Sequence, residues 1–192
     1  MIVFDASTLI LIAKGEFLDL FISHAGMPVV IPGAVERECC RSKKVLEALI
    51  IQKALDESRI KTVTVKNRRL VAKLQTDFSL GSGEAEAIAL ALNEKAQLLG
   101  IDDKNGINAC KLLGIAFTTA VGILIRSRGK GLLEKPDALA TLALRRNTGG
   151  TRIRLSRTRD GNWRQSHEQD DERSHGSREL RFSSPDHQRG RE

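Results

Sequence analysis

The chain has 192 residues, and its formal net charge of +7 favours acidic partners such as nucleic acid. The length allows one domain with a substantial core, while three cysteines without a CxxC spacing argue against a disulfide framework or a structural zinc site. The apolar stretch at residues 2–13 is interrupted by Asp5 and is too short for a signal peptide or a membrane span, so we expect a soluble, cytoplasmic protein.

Short apolar runs alternate with amphipathic segments along the first 144 residues. The apolar runs predict strands at 2–4, 29–31, 60–65, 97–101 and 115–117. Helical periodicity and capping residues predict helices at 7–13, 16–24, 32–39, 44–57, 69–74, 83–95, 105–113, 121–128 and 137–144, with Ser7 and Ser82 as N-caps. This alternation predicts an α/β fold: a three-layer α/β/α sandwich with a parallel central sheet.

The composition changes abruptly near residue 144. Residues 1–144 contain 12 Lys and 7 Arg, whereas residues 145–192 contain 12 Arg, no Lys and only five strongly apolar side chains. So few apolar residues cannot offset the entropy of ordering 48 residues. We therefore predict a domain at 1–144 and a largely disordered, Arg-rich C-terminal tail at 145–192, and we favour a plain tail or a shifted reading frame over an RNA-binding arm.

Several acidic residues follow predicted strands or begin predicted helices. In a parallel sheet, ligands bind beyond the carboxyl ends of the strands, so these acids can converge on one edge. Converging carboxylates repel each other unless a hard divalent cation joins them, and Mg²⁺ or Mn²⁺ prefers such oxygen ligands. Taken singly, each acid could instead be a helix cap or a solvated residue. The acids are Asp5, Glu38, Glu84, Glu86, Asp102 and Asp103.

Four segments, at residues 2–10, 31–38, 80–91 and 98–104, give the chain a resemblance to a known family. In their order and spacing they are similar to the PIN-domain family, especially its VapC-like toxin ribonucleases, over residues 1 to about 135. The resemblance implies the three-layer α/β/α fold and an Mg²⁺- or Mn²⁺-dependent endoribonuclease that acts on RNA. It also implies a toxin paired with an antitoxin, and a homodimer.

The resemblance assigns roles to individual residues. Asp5 matches the first acid, Glu38 the second, at the end of a Pro-x-x-Val-x-x-Glu run, and Glu84 the third, in a Gly-Glu pair. Asp102 or Asp103 matches the fourth acid, so the implied catalytic residues are Asp5, Glu38, Glu84 and Asp102, with Asp103 as a further metal ligand. Ser7 is implied to support the first acid, and Glu86 to assist or replace Glu84. The chain departs from the family at 106–107, where relatives often carry a basic residue and this chain has Gly106 and Ile107.

Two other functions fit parts of the same pattern. A haloacid-dehalogenase-type phosphatase also has an aspartate after its first strand, but it needs a second acid where this chain has Ser7. The alternative that we keep is a catalytically inactive PIN-like module that binds RNA or protein. Because all four acid positions are filled, the sequence favours the nuclease.

Overall fold

The computed structural model describes residues 1–41, 45–132, 153–157 and 163–167. Within these residues the first part of the chain forms five strands and eight helices. The strands are β1 Ile2–Phe4, β2 Val29–Pro32, β3 Ile60–Val63, β4 Leu98–Gly100 and β5 Phe117–Thr118. The helices are α1 Ala6–Lys14, α2 Leu18–His24, α3 Gly33–Cys39, α4 Leu46–Asp56, α5 Arg68–Phe78, α6 Ser82–Asn93, α7 Lys104–Leu113 and α8 Ala120–Gly129.

The five strands form one parallel sheet in the order β3-β2-β1-β4-β5. From β1 the chain adds β2 and β3 on one side and then returns to add β4 and β5 on the other. The order of the sheet therefore reverses between β1 and β4. In open parallel sheets, this reversal opens a crevice beyond the carboxyl ends of the two strands, where ligands bind.

Alternate residues of the strands pack into two separate cores, one on each face of the sheet. Ile2 and Phe4 of β1 face a core that includes residues of α1, α2, α4 and α8, whereas Val3 faces a core built with α5, α6 and α7. Strands that are buried on both faces lose the apolar and polar alternation of a half-exposed sheet, which explains the continuous apolar runs in the sequence. The predicted three-layer α/β/α sandwich is confirmed.

The helices begin within two residues of the predicted starts, but two N-caps differ from the predicted ones. The N-cap of α1 is Asp5, not Ser7, because the Asp5 carboxylate accepts the hydrogen bond from the Thr8 backbone nitrogen. The N-cap of α6 is Gly81, not Ser82, and the Glu84 side chain closes back onto its backbone nitrogen. The helix predicted at 137–144 lies outside the described residues. The three cysteines are free, and Cys39 and Cys110 are buried in the two cores.

The C-terminal part of the chain contains a pair of strands that the sequence did not predict. Strands β6 Ile153–Arg157 and β7 Trp163–His167 pair antiparallel. The boundary at residue 144 and the disorder of the remaining tail stay predictions. Among the residues that the structure describes, no helix has both the length and the apolar character needed to cross a membrane.

Candidate active site

Asp5 lies at the carboxyl end of the central strand. Its carboxylate accepts hydrogen bonds from the Thr8 backbone nitrogen at 2.8 Å and from the Ser7 hydroxyl at 2.6 Å. Only 1% of the residue is exposed. The pKa of Asp5 is raised to about 7, mainly by burial and to a smaller extent by the negative charge of Asp102, while the hydrogen bonds from Ser7 and Thr8 oppose the rise. A carboxylate in such an environment gains strongly from a nearby cation.

Asp102 lies just beyond β4, the strand on the other side of the crevice. Its Oδ2 atom accepts a hydrogen bond from the Thr8 hydroxyl at 2.9 Å and one from the Ala120 backbone nitrogen at 2.8 Å. Thr8 therefore contacts both acids, Asp5 through its backbone nitrogen and Asp102 through its hydroxyl. This buried threonine holds the two carboxylates together across the point where the sheet order reverses.

A second group of acids surrounds the start of α6. Glu84 accepts a hydrogen bond from the Gly81 backbone nitrogen at 2.6 Å. The Glu38 carboxylate of α3 approaches the same turn so closely that a Cβ on Gly83 would stand 2.9 Å from its Oε2 atom. Partial burial raises the pKa of Glu84, and the charges of Asp103 and Glu38 raise it further against the opposing hydrogen bond from Gly81. Glu38 and Asp103 therefore both act electrostatically on Glu84.

Glu86 has a different environment from Glu84, although both belong to α6. Its Oε2 atom accepts a hydrogen bond from the Ala34 backbone nitrogen at 3.0 Å, and its Oε1 atom forms an ion pair with Arg68. The residue is 3% exposed. Both oxygens are thus engaged by protein donors, which favours Glu84 over Glu86 as a metal ligand and gives Glu86 a part in holding α3 against α6.

Two residues of the site were not predicted, Thr8 and Gly100. A Cβ on Gly100 of β4 would stand 2.2 Å from Cδ1 of Phe4 and 3.2 Å from Cγ2 of Thr8. Only glycine allows β4 to lie this close to β1 and α1, and this closeness brings Asp102 to Thr8. A glycine that ends an apolar strand just before an Asp-Asp pair was the available signal for the close approach.

The departure from the family at Gly106 has a packing reason. Asp103 is the N-cap of α7, and its Oδ2 atom accepts a hydrogen bond from the Gly106 backbone nitrogen at 2.9 Å. A Cβ on Gly106 would stand 2.3 Å from Cδ1 of Ile101. A long basic side chain fits at this position only if the buried Ile101 side chain or the start of α7 shifts.

The proposed ligands do not stand ready as one metal-binding group. Among the described ranges, no three His, Cys, Asp or Glu side chains are arranged to hold a metal ion. The acids instead form two subgroups, Asp5 with Asp102 and Glu38 with Glu84 and Asp103. Four of them also accept hydrogen bonds from backbone nitrogens at helix starts: Asp5, Glu84, Asp102 and Asp103.

The chemistry of the donors nevertheless fits a hard divalent cation. All of the donors are carboxylate oxygens, which Mg²⁺ and Mn²⁺ prefer. In the part of the chain that the structure describes, no Lys or Arg forms an ion pair with Asp5, Glu38 or Glu84. Burial first, and then the neighbouring carboxylates, raise the pKa of Asp5 and of Glu84. Among the described residues no ion pair with a basic side chain offsets these effects, and a cation could offset them.

A comparison with models of known protein families gives a match. The DUF3368 family model, described as a PIN domain, matches residues 1–158. The match includes every acid of the site and extends past the predicted boundary at 144 into β6. A search of curated proteins gave no match.

Proposed function

Since this chain belongs to the PIN-domain family, whose fold is of the nuclease type, we propose that it is an endoribonuclease that hydrolyses RNA phosphodiester bonds with Mg²⁺ or Mn²⁺. The observation that supports the proposal is the juxtaposition of Asp5 and Asp102 through Thr8 at the reversal of the sheet order. Such a crevice is where parallel sheets bind ligands, and a buried carboxylate beside a second one there suits a divalent cation.

In this proposal the metal would be held by Asp5, Glu38, Glu84 and Asp102, with Asp103 beside them. A metal held there would supply a lowered pKa for a water molecule and polarisation of a phosphate oxygen. Ser7 and Thr8 orient the Asp5 carboxylate through their hydrogen bonds. No side chain would need to attack the phosphorus atom in this chemistry, in which water is the attacking group.

A pair of glutamates on α6 offers a matched test of this proposal. Glu84 lies in the first turn of α6, whereas Glu94 is the exposed C-cap at the opposite end of the helix. We expect Glu84→Gln to lower the rate of single-stranded RNA cleavage in Mn²⁺ by more than the 10–100-fold typical of residues around metal ligands. Glu94→Gln should leave the rate unchanged, since it removes the same charge far from the site.

The same assay on Asp5→Asn separates the proposed nuclease from contaminating activity. Loss of cleavage in both Asp5→Asn and Glu84→Gln would support one shared site. Metal-dependent cleavage that survives either change would contradict the site assignment. If wild-type protein binds RNA but never cuts it, the chain is the inactive binding module, an alternative favoured by the hydrogen bonds that already occupy Asp5 and Asp103.

We further propose that the protein is the toxin of a toxin-antitoxin pair, acts in the cytoplasm and forms a homodimer. These statements rest on the similarity of its four sequence segments to VapC-like toxins. Light scattering of the purified chain measures its mass directly, and a monomer at micromolar concentration would contradict the homodimer. Expression of active protein should slow growth, and expression of Asp5→Asn should not; equal growth in both would contradict the toxin role.

A further inference from the structure

Four exposed basic residues lie at the carboxyl ends of β2 and β3, the strands next to the acidic site. Lys66, Arg68 and Arg69 lie in the connection after β3 and in the first turn of α5. Arg37 of α3 lies over the end of β2, where a Cβ on Gly33 would stand 3.3 Å from its Nη1 atom. We call these four residues the edge cations.

The sheet order places the edge cations beside the acids and not on another side of the molecule. Along the carboxyl edge, the ends of β3 and β2 come before the end of β1, where Asp5 lies, and the end of β4, where Asp102 lies. Neighbouring strands are about 4.8 Å apart, so the end of β3 is only about 10 Å from the end of β1. A polyanion bound at the acids would therefore extend past the edge cations within a short distance.

Three of the four edge cations have no carboxylate partner among the residues that the structure describes, unlike several basic residues elsewhere. Lys14, Lys53, Arg59 and Lys73 each form ion pairs with carboxylates. Arg37, Lys66 and Arg69 form none with any residue that the structure describes. Their charge is therefore available to an external anion, whereas the charge of the other four is already compensated within the protein.

Arg68 connects the end of β3, where α5 begins, to the end of β2, where α3 begins. Its Nη1 atom pairs with the buried Glu86, which also accepts the hydrogen bond from the backbone nitrogen of Ala34 at the start of α3. The arginine side chain is still 61% exposed. A guanidinium has five N–H donors, so an arginine tethered through one nitrogen can still donate to a phosphate.

From these contacts we propose that the edge cations bind the backbone phosphates of a single-stranded RNA next to the bond that is cut. This inference rests on the proposed function, since it names the path that the substrate takes to the same site. Phosphate contacts by Lys and Arg fix the position of a nucleic acid without reading its sequence. The edge cations should therefore contribute affinity and register but not base preference.

The test measures how RNA affinity depends on salt. The full chain carries Asp5→Asn throughout, so that RNA stays intact in Mg²⁺, and fluorescence anisotropy of a labelled oligouridine gives Kd between about 50 and 200 mM salt. Lys66→Gln/Arg69→Gln removes two edge cations, and Lys53→Gln/Lys73→Gln removes two ion-paired lysines of equal charge. Any contribution from the arginines of residues 145–192 is the same in the two double variants.

Each phosphate contact to a single strand contributes about 0.7 to the slope of log K against log salt. We expect the slope to fall by about 1.4 in Lys66→Gln/Arg69→Gln and to stay unchanged in Lys53→Gln/Lys73→Gln. An unchanged slope in the first protein, or an equal fall in the second, would overturn the proposal. Unlabelled polyglutamate and unlabelled RNA of equal total charge are also compared as competitors. If polyglutamate displaces the labelled RNA equally well, the proposal is overturned, because the surface would then suit an acidic protein.

The failure of this inference and that of the proposed function give different results. If wild-type protein cleaves RNA and Asp5→Asn does not, but the slopes are equal, only the phosphate path is wrong. If Asp5→Asn still cleaves RNA, the proposed acidic site is wrong whatever the slopes show.

Discussion

Asp5 combines two roles at the residue scale that the sequence left as alternatives. It caps α1 through its contact with the Thr8 backbone nitrogen, and it also lies at the sheet edge within the electrostatic influence of Asp102. A helix N-terminus stabilises a negative charge, yet burial and the second carboxylate outweigh this effect and raise the pKa. The cap therefore holds the carboxylate in place without relieving its repulsion from Asp102.

A pH dependence of stability follows from the raised pKa of Asp5. The pKa is about 7 in the folded protein and 3.8 for an ordinary aspartate, so between these values the folded state keeps a proton that the unfolded state has lost. The free energy of unfolding should therefore fall as pH rises from about 4 to about 7, by up to about 1.4 kcal/mol per pH unit, and level off above. Urea unfolding with a chelator present, compared between wild type and Asp5→Asn, measures this.

Asparagine is a suitable control at this position because it also caps helices well but does not titrate. The other ionisable groups are the same in both proteins, so the difference between the two unfolding free energies isolates Asp5. A difference that is constant from pH 4 to pH 7 would contradict the raised pKa.

At the scale of elements, α6 separates a binding role from a positioning role. Glu84 and Glu86 are two residues apart, which is about 200° around a helix, so they contact different neighbours. Glu84 faces the acids of the site, and Glu86 contacts the start of α3 and Arg68. Since α3 carries Glu38, the position of Glu38 relative to Glu84 depends on the Glu86 contact.

Substitution of Glu86 should therefore affect the metal site without removing a ligand. We expect Glu86→Ala to lower the free energy of unfolding by about 1–3 kcal/mol, because the buried Ala34 nitrogen loses its acceptor, and also to raise Kd for Mn²⁺. Glu86→Gln keeps an acceptor for this nitrogen and should restore most of the Mn²⁺ affinity. Calorimetry and urea unfolding measure the two effects, and a loss of stability with unchanged Kd would show that Glu86 has no positioning role.

The limits of prediction from the sequence appear at this same scale. Asp5 and Asp102 could be placed because each follows an apolar run, and a parallel sheet brings the carboxyl ends of its strands to one edge. The contact of Thr8 with Asp102 joins residues 94 positions apart, and no local pattern shows it. The sequence predicts Ser7 as the cap of α1, but aspartate caps helices as well as serine does. Only the position where β1 ends decides in favour of Asp5.

At the scale of the whole molecule, the sheet connects the two subgroups of acids. Asp5 and Asp102 follow strands, whereas Glu38, Glu84 and Asp103 belong to or cap helices that pack on the sheet. The strands are buried on both faces, so the first pair is held rigidly, while the second subgroup depends on how α3, α6 and α7 contact one another. A cation that binds both subgroups would therefore link the sheet to these three helices.

This link predicts that metal binding stabilises the whole domain. A ligand that binds only the folded state adds about 2.7 kcal/mol at a concentration of 100 times Kd, so Mn²⁺ should raise the Tm of wild type. The rise should be smaller at pH 6 than at pH 8, because below a pKa of about 7 a proton competes with the metal for Asp5. Asp5→Asn should show a much smaller rise without this pH dependence, and Glu94→Gln should behave like wild type.

An equal rise in wild type and Asp5→Asn would show that the metal binds elsewhere. No rise in wild type at millimolar Mn²⁺ would show that the two subgroups do not form a tight site without RNA, and the cation would then have to enter together with the phosphates of the substrate.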